Sequence, residues 1–80
     1  MKKAEVLNTL QRNDVFPDKL IQKKDGTFEY RKCYFYRHGA TTEMHVKKIL
    51  GVFPQAKIVE AYDNWQRWPK DSYFMVRFRF

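Results

Sequence analysis

Eighty residues make one domain (1–80) and are too few for two ordinary ones. An apolar fraction of 44%, with seven Phe, five Tyr and two Trp beside only three Gly and three Pro, excludes a disordered or low-complexity chain. Sixteen Lys and Arg against nine Asp and Glu leave +7, a balance that suits a soluble surface and favours polyanions: nucleic acid, an anionic membrane surface or an acidic protein.

Basic residues never run beyond pairs (Lys2-Lys3, Lys23-Lys24, Arg31-Lys32, Lys47-Lys48), so any basic patch has to be assembled by folding. Cys33 is the single cysteine, which excludes an intramolecular disulfide framework. The start, Met1 to Asn8, lacks the apolar stretch of a signal peptide, and no segment approaches the ~20 apolar residues of a membrane span. The expectation is a cytoplasmic protein with no membrane partner.

In chain order, residues 2–12 read as a short helix, with Val6, Leu7 and Leu10 on one stripe. Asn13-Asp14 ends it, and Phe16-Pro17 sets an extended exit. Residues 19–24 and 27–37 flank Asp25-Gly26, a dipeptide suited to a two-residue hairpin turn. That turn pairs Lys23 with Phe28 and Ile21 with Tyr30 on one side, Gln22 with Glu29 and Leu20 with Arg31 on the other. Cys33-Tyr34-Phe35-Tyr36, apolar on both faces, reads as a central strand end or a bulge.

Thr41 or Thr42 can cap a helix over 42–52, whose apolar face is Val46, Ile49, Leu50 and Phe53, and Pro54 ends it. Strands follow over 56–63 and 72–80. In the last, Phe74, Val76, Phe78 and Phe80 alternate with Tyr73, Met75, Arg77 and Arg79. The order αββαββ predicts an α+β two-layer sandwich: a four-stranded antiparallel sheet with both helices on one face. Val15-Phe16-Pro17 is echoed by Val52-Phe53-Pro54, which raises a pseudo-repeat of αββ units over about 2–37 and 41–80.

Helices on one face leave the other to solvent or to a ligand. Arg31, Arg77 and Arg79 are expected there among aromatics, with Cys33, Phe35 and Arg37 as further outward residues. Such a surface can stack bases and neutralise phosphates together. The loop 62–71 holds Trp65, Arg67, Trp68 and Lys70; its indoles either anchor a partner or fold back over a small core. A second copy of the chain is a further candidate partner, through the C-terminal strand if it lies at a sheet edge.

His38 and His45 would be the acid and base of a ribonuclease-like site with Arg37 at the phosphate, but two histidines and an arginine are a weak signal. His38 is expected to serve a turn, and His45 to face solvent. One Cys and two His match no metal-ligand spacing, and no glycine-rich phosphate loop occurs, so neither metal nor cofactor is expected. Neither a zinc-finger spacing nor the aromatic-glycine signature of the common RNA-binding sheet domain is present. The reading is a non-enzymatic binding module for nucleic acid, with a protein-interaction module or inhibitor of a host protein as the alternative.

Residues 32–43, from Lys32-Cys33-Tyr34-Phe35-Tyr36-Arg37-His38-Gly39 into Ala40-Thr41-Thr42-Glu43, and the later Lys70-Asp71-Ser72-Tyr73-Phe74 resemble small proteins encoded by bacteriophages and integrated elements. The likeness covers roughly residues 26–80, and Ala40-Thr41-Thr42-Glu43 departs slightly from that group's helix start. The group brings no activity to transfer. What the resemblance implies is context: a phage or prophage accessory protein inside a bacterial cell.

Overall fold

The computed structural model describes residues 2–33, 41–68 and 71–80. Its elements are α1 (Lys3–Arg12), β1 (Lys19–Gln22), β2 (Phe28–Cys33), α2 (Thr42–Val52), β3 (Lys57–Asn64) and β4 (Tyr73–Arg79). All strand pairs are antiparallel and the sheet order is β1-β2-β4-β3. The second strand of each αββ unit therefore meets its counterpart at the centre. The expected α+β sandwich is the observed one. The C-terminal strand, however, lies inside the sheet, so its backbone groups are already paired and cannot recruit a second copy; the edges are β1 and β3.

Local chemistry explains the boundaries. At the end of α1, Asp14 takes a left-handed φ of 61°. The amide of Asp14 then reaches the Gln11 carbonyl (3.1 Å), and that of Val15 the Leu10 carbonyl (2.9 Å). This double closure satisfies carbonyls the helix leaves open, and it is sealed by burial of Leu10 and Val15 together. α2 starts where the Thr41 hydroxyl accepts from the Met44 amide at 3.3 Å. It ends in a turn with Pro54 at its second position, closed by Ala56 N–H to the Phe53 carbonyl at 3.0 Å.

The first hairpin corrects the expected register. Lys23 N–H bonds the Thr27 carbonyl (2.8 Å) and Gly26 N–H the Lys23 carbonyl (3.1 Å), so the loop has three residues, Lys24-Asp25-Gly26. Gly26 supplies the positive φ (89°) that such a loop requires. The Asp25 carboxylate accepts from the Thr27 hydroxyl (2.6 Å) and amide (3.0 Å), bonds that hold its pKa below the usual value. The pairs become Leu20 with Tyr30, Ile21 with Glu29, Gln22 with Phe28 and Lys19 with Arg31. One residue of slip exchanges the faces of β1, which puts Leu20 rather than Ile21 in the core.

One core lies between the helices and the sheet. Val6 and Leu10 of α1 and Ile49 of α2 pack with Val15, Leu20, Phe28, Tyr30, Phe53, Val76 and Phe78. Phe28, Phe53, Phe78 and Phe80 form a ring cluster with centroids 5.0–6.4 Å apart, in stacked and edge-on contacts. His45 belongs to this side too, against expectation: it is 2% exposed, and its Nδ1 lies 2.9 Å from the Tyr30 hydroxyl. A hydroxyl buried under α2 requires a polar partner, and His45 supplies it. The Val-Phe-Pro echo is not matched in burial, since Val15 and Phe53 are buried while Phe16 is exposed.

Candidate nucleic-acid interface

The face turned away from the helices is set by register. It carries Lys19 and Ile21 of β1, Glu29, Arg31 and Cys33 of β2, and Tyr73, Met75, Arg77 and Arg79 of β4. On β3 a bulge between Ile58 and Glu60 changes the alternation. Ile58 and Ala61 consequently both face the core, while Glu60, Tyr62 and Asn64 join the open face opposite Arg77, Met75 and Tyr73.

Glu29 organises the centre of this face. Although it lies on the side with no helices, it is 3% exposed. Its Oε2 accepts from Arg31 Nε at 2.6 Å and lies 2.5 Å from Arg31 Nη2. Its Oε1 lies 3.0 Å from Arg77 Nη2 and 3.5 Å from Lys23 Nζ. Arg77 also reaches Glu60 through Nη1 at 3.0 Å. Burial pushes the Glu29 carboxyl up, but the hydrogen bonds from Arg77 and Arg31 and the charges of Arg31 and Lys23 outweigh it, holding the pKa below the ordinary value. The Arg77 pKa is raised, chiefly by its hydrogen bond to Glu29.

Towards the β3–β4 connection the face becomes aromatic. The Arg31 guanidinium lies over the Tyr73 ring at 4.7 Å, and the Tyr73 hydroxyl accepts from Asn64 Nδ2 at 2.7 Å. Tyr62, diagonal to Tyr73 on the neighbouring strand, is 41% exposed. The connection itself is tied down by Ser72, whose buried hydroxyl accepts from Gln66 N–H at 2.8 Å and lies 3.1 Å from the Trp68 carbonyl. Gln66 Nε2 donates to Asn64 Oδ1. On this frame Trp65 and Trp68 are 59% and 55% exposed, so neither indole closes the core. The Arg67 guanidinium stands over the Trp68 ring at 5.5 Å.

Beside Tyr73 the face dips into an open cleft of about 270 Å³, lined by Asp18, Lys19, Arg31, Cys33, Asp71, Ser72 and Tyr73. Asp18 is already engaged there: its Oδ2 accepts from the Cys33 amide at 2.6 Å, and its Oδ1 lies 3.6 Å from Lys32 Nζ.

The structure thus brings Arg31 and Arg77 together on one carboxylate, and Trp65, Arg67 and Trp68 together on one loop. Arg79 stands apart: six residue steps along the strand, about 20 Å, separate it from Tyr73 at the loop end. Lys70, Phe35, Arg37 and His38, with the Tyr34-Phe35-Tyr36 segment and much of the resemblance motif, lie outside the described residues. Sequence reasoning missed Tyr62, which it placed in the loop, and missed Glu29 and Glu60 as partners of the sheet arginines. Glu29, two residues before Arg31 on one strand, shares its face by alternation alone, whatever the loop; the bulge that adds Glu60 and Tyr62 has no such local sign.

Among the described residues, no three or more of His, Cys, Asp and Glu come together to hold a metal ion, and no helix is long and apolar enough to cross a membrane. Compared with protein-family models, curated proteins and solved structures, the chain matches none of them.

Proposed function

We propose that this chain is a non-enzymatic nucleic-acid-binding module, a phage or prophage accessory protein at work inside a bacterial cell, which holds single strands against its open sheet face and tryptophan loop. One observation carries the reading. Two indoles, each more than half exposed, adjoin a face that presents Tyr62 and Tyr73 and whose cations outnumber its carboxylates. Lys19, Lys23, Arg31, Lys57, Arg77 and Arg79 stand there against Glu29 and Glu60, with Asp18 and Asp71 at the cleft beside Tyr73.

Rings exposed on a flat sheet suit unpaired bases, whose faces are available for stacking at about 1–3 kcal/mol each. Arg31 and Arg77, held by Glu29 and Glu60, contribute shape and stacking more than charge. The cations left for phosphates are Lys19, Lys57, Arg67 and Arg79, which form no ion pair with a described residue.

Four phosphate contacts to a single strand give a log–log salt slope near −3, or roughly a 50-fold loss of affinity between 50 and 200 mM salt. Tryptophan fluorescence titration with single-stranded and duplex oligonucleotides measures this directly. The expected result is quenching by single strands that fades steeply with salt. No binding at 10 micromolar protein (about 7 kcal/mol) in 50 mM salt would overturn the reading.

A protein-interaction module is the second reading, favoured by the neutralisation of Arg31 and Arg77 beside two solvent-facing tryptophans. It predicts capture of an apolar protein surface by Trp65 and Trp68 with little dependence on salt.

A further inference from the structure

We infer that the cleft beside Tyr73 is a pocket for one unpaired nucleobase with guanine-type hydrogen bonding, an inference that rests on the nucleic-acid reading above. The cleft opens on the same face as the sheet arginines, because Lys19, Arg31 and Tyr73 all project there. At about 270 Å³ it falls below the range of roughly 300–1,000 Å³ that takes drug-sized ligands, so it suits a single ring system rather than a bulky cofactor.

Its lining is mixed in charge. Asp18 and Asp71 share the lining with Lys19 and Arg31, and carboxylates beside the cleft disfavour a bare phosphate. A base with acceptors on one edge and donors on another matches such a lining. Guanine presents O6 and N7 as acceptors, which Arg and Lys read in pairs, and N1–H with its amino group as two adjacent donors that a carboxylate reads in a pair.

The groups have donors and acceptors to spare. Glu29 takes Nε and Nη2 of Arg31, which leaves Nη1 outside that pairing. Asp18 is occupied by Cys33 and Lys32, whereas Asp71 is exposed and forms no ion pair with a described residue. Asp71 is therefore the carboxylate assigned to the base, with Lys19 and Arg31 at the acceptor edge and Tyr73 as the wall.

The test compares a twelve-thymidine strand with the same strand carrying one dG, dA or dC at its centre. The dG strand should bind about tenfold more tightly than the all-thymidine strand. Asp71→Asn, at an exposed position, removes one negative charge and should raise affinity for all four strands together, while it cuts the dG-over-thymidine ratio to less than about twofold, with circular dichroism confirming the fold. Equal wild-type affinity for all four strands, or a dG preference that survives in Asp71→Asn, overturns the pocket while the wider reading stands. Failure of every strand to bind removes both.

Discussion

The two faces of the sheet bury side chains by different means. Beneath the helices, Phe28, Val76 and Phe78 are buried by other apolar groups, and the helices supply the cover. On the opposite face no helix is present, yet Met75 is 1% exposed and Glu29 3%. Arg31 and Tyr62 stand across from Met75 on the flanking strands, and three cations converge on Glu29. Long charged side chains laid along the sheet can bury their stems and keep their heads in water. The helix side owes its order to packing, while the open side owes it to an ion network that a pH change or an incoming anion can alter.

The largest effect is expected on the packed side. Phe78→Ala removes the ring that touches Phe28, Phe53 and Phe80, and should cost about 3–5 kcal/mol. For a small domain near the low end of the usual stability of about 5–15 kcal/mol, that leaves little folded protein, readable by urea denaturation or near-ultraviolet circular dichroism. A loss below about 1 kcal/mol would show that the ring cluster is not where stability resides.

Glu29→Gln addresses the other face. Arg31 and Arg77 are both about a quarter exposed (27%), so water relieves part of the loss, and a cost of about 1–3 kcal/mol is expected at neutral pH. The pH dependence has a definite sign. Because the folded carboxyl has a lowered pKa, its contribution is fully present above the ordinary value of 4.5 and is lost as pH falls through the folded value. The gap between wild type and variant should therefore shrink in acid. Parallel urea curves at pH 7 and pH 3 measure it, and an undiminished gap at pH 3 would mean that the carboxylate charge is not what holds the arginines.

The same division between local and distant causes governs what could be read from the amino acids alone. The strict alternation of residues 73–80 and the stripes of both helices state their faces locally, and the structure keeps them. Asp25-Gly26 misled by one residue because the pair suits a two-residue loop and also the last two positions of a three-residue one. What decides between them is the burial of Leu20 against Tyr30, a tertiary fact. His45 was placed in solvent for its polarity, although its partner hydroxyl lies fifteen residues earlier on β2. For the loop, the sequence left the tryptophans' fate open, since exposure depends on whether the remaining core closes without them. The candidate site was half legible: its arginines, its indoles and Glu29 follow from pattern, Glu60 and Tyr62 only from the bulge.

The smallest expected change in stability sharpens the contrast most for function. Glu60 is 48% exposed in its side chain and meets Arg77 at 3.0 Å, the kind of surface pair whose loss costs about 0.5 kcal/mol or less. Glu60→Gln should thus leave the fold alone while it frees Arg77 Nη1 and adds one positive charge to the open face. If single strands lie on that face, affinity at 50 mM salt should rise about three- to fivefold, and the log–log salt slope should steepen by about 0.7, one further phosphate contact. If affinity and slope stay unchanged while Trp65→Ala and Trp68→Ala each weaken binding, the ligand touches the loop alone. The arginines of the sheet would then serve Glu29 and the integrity of the uncovered face, not recognition.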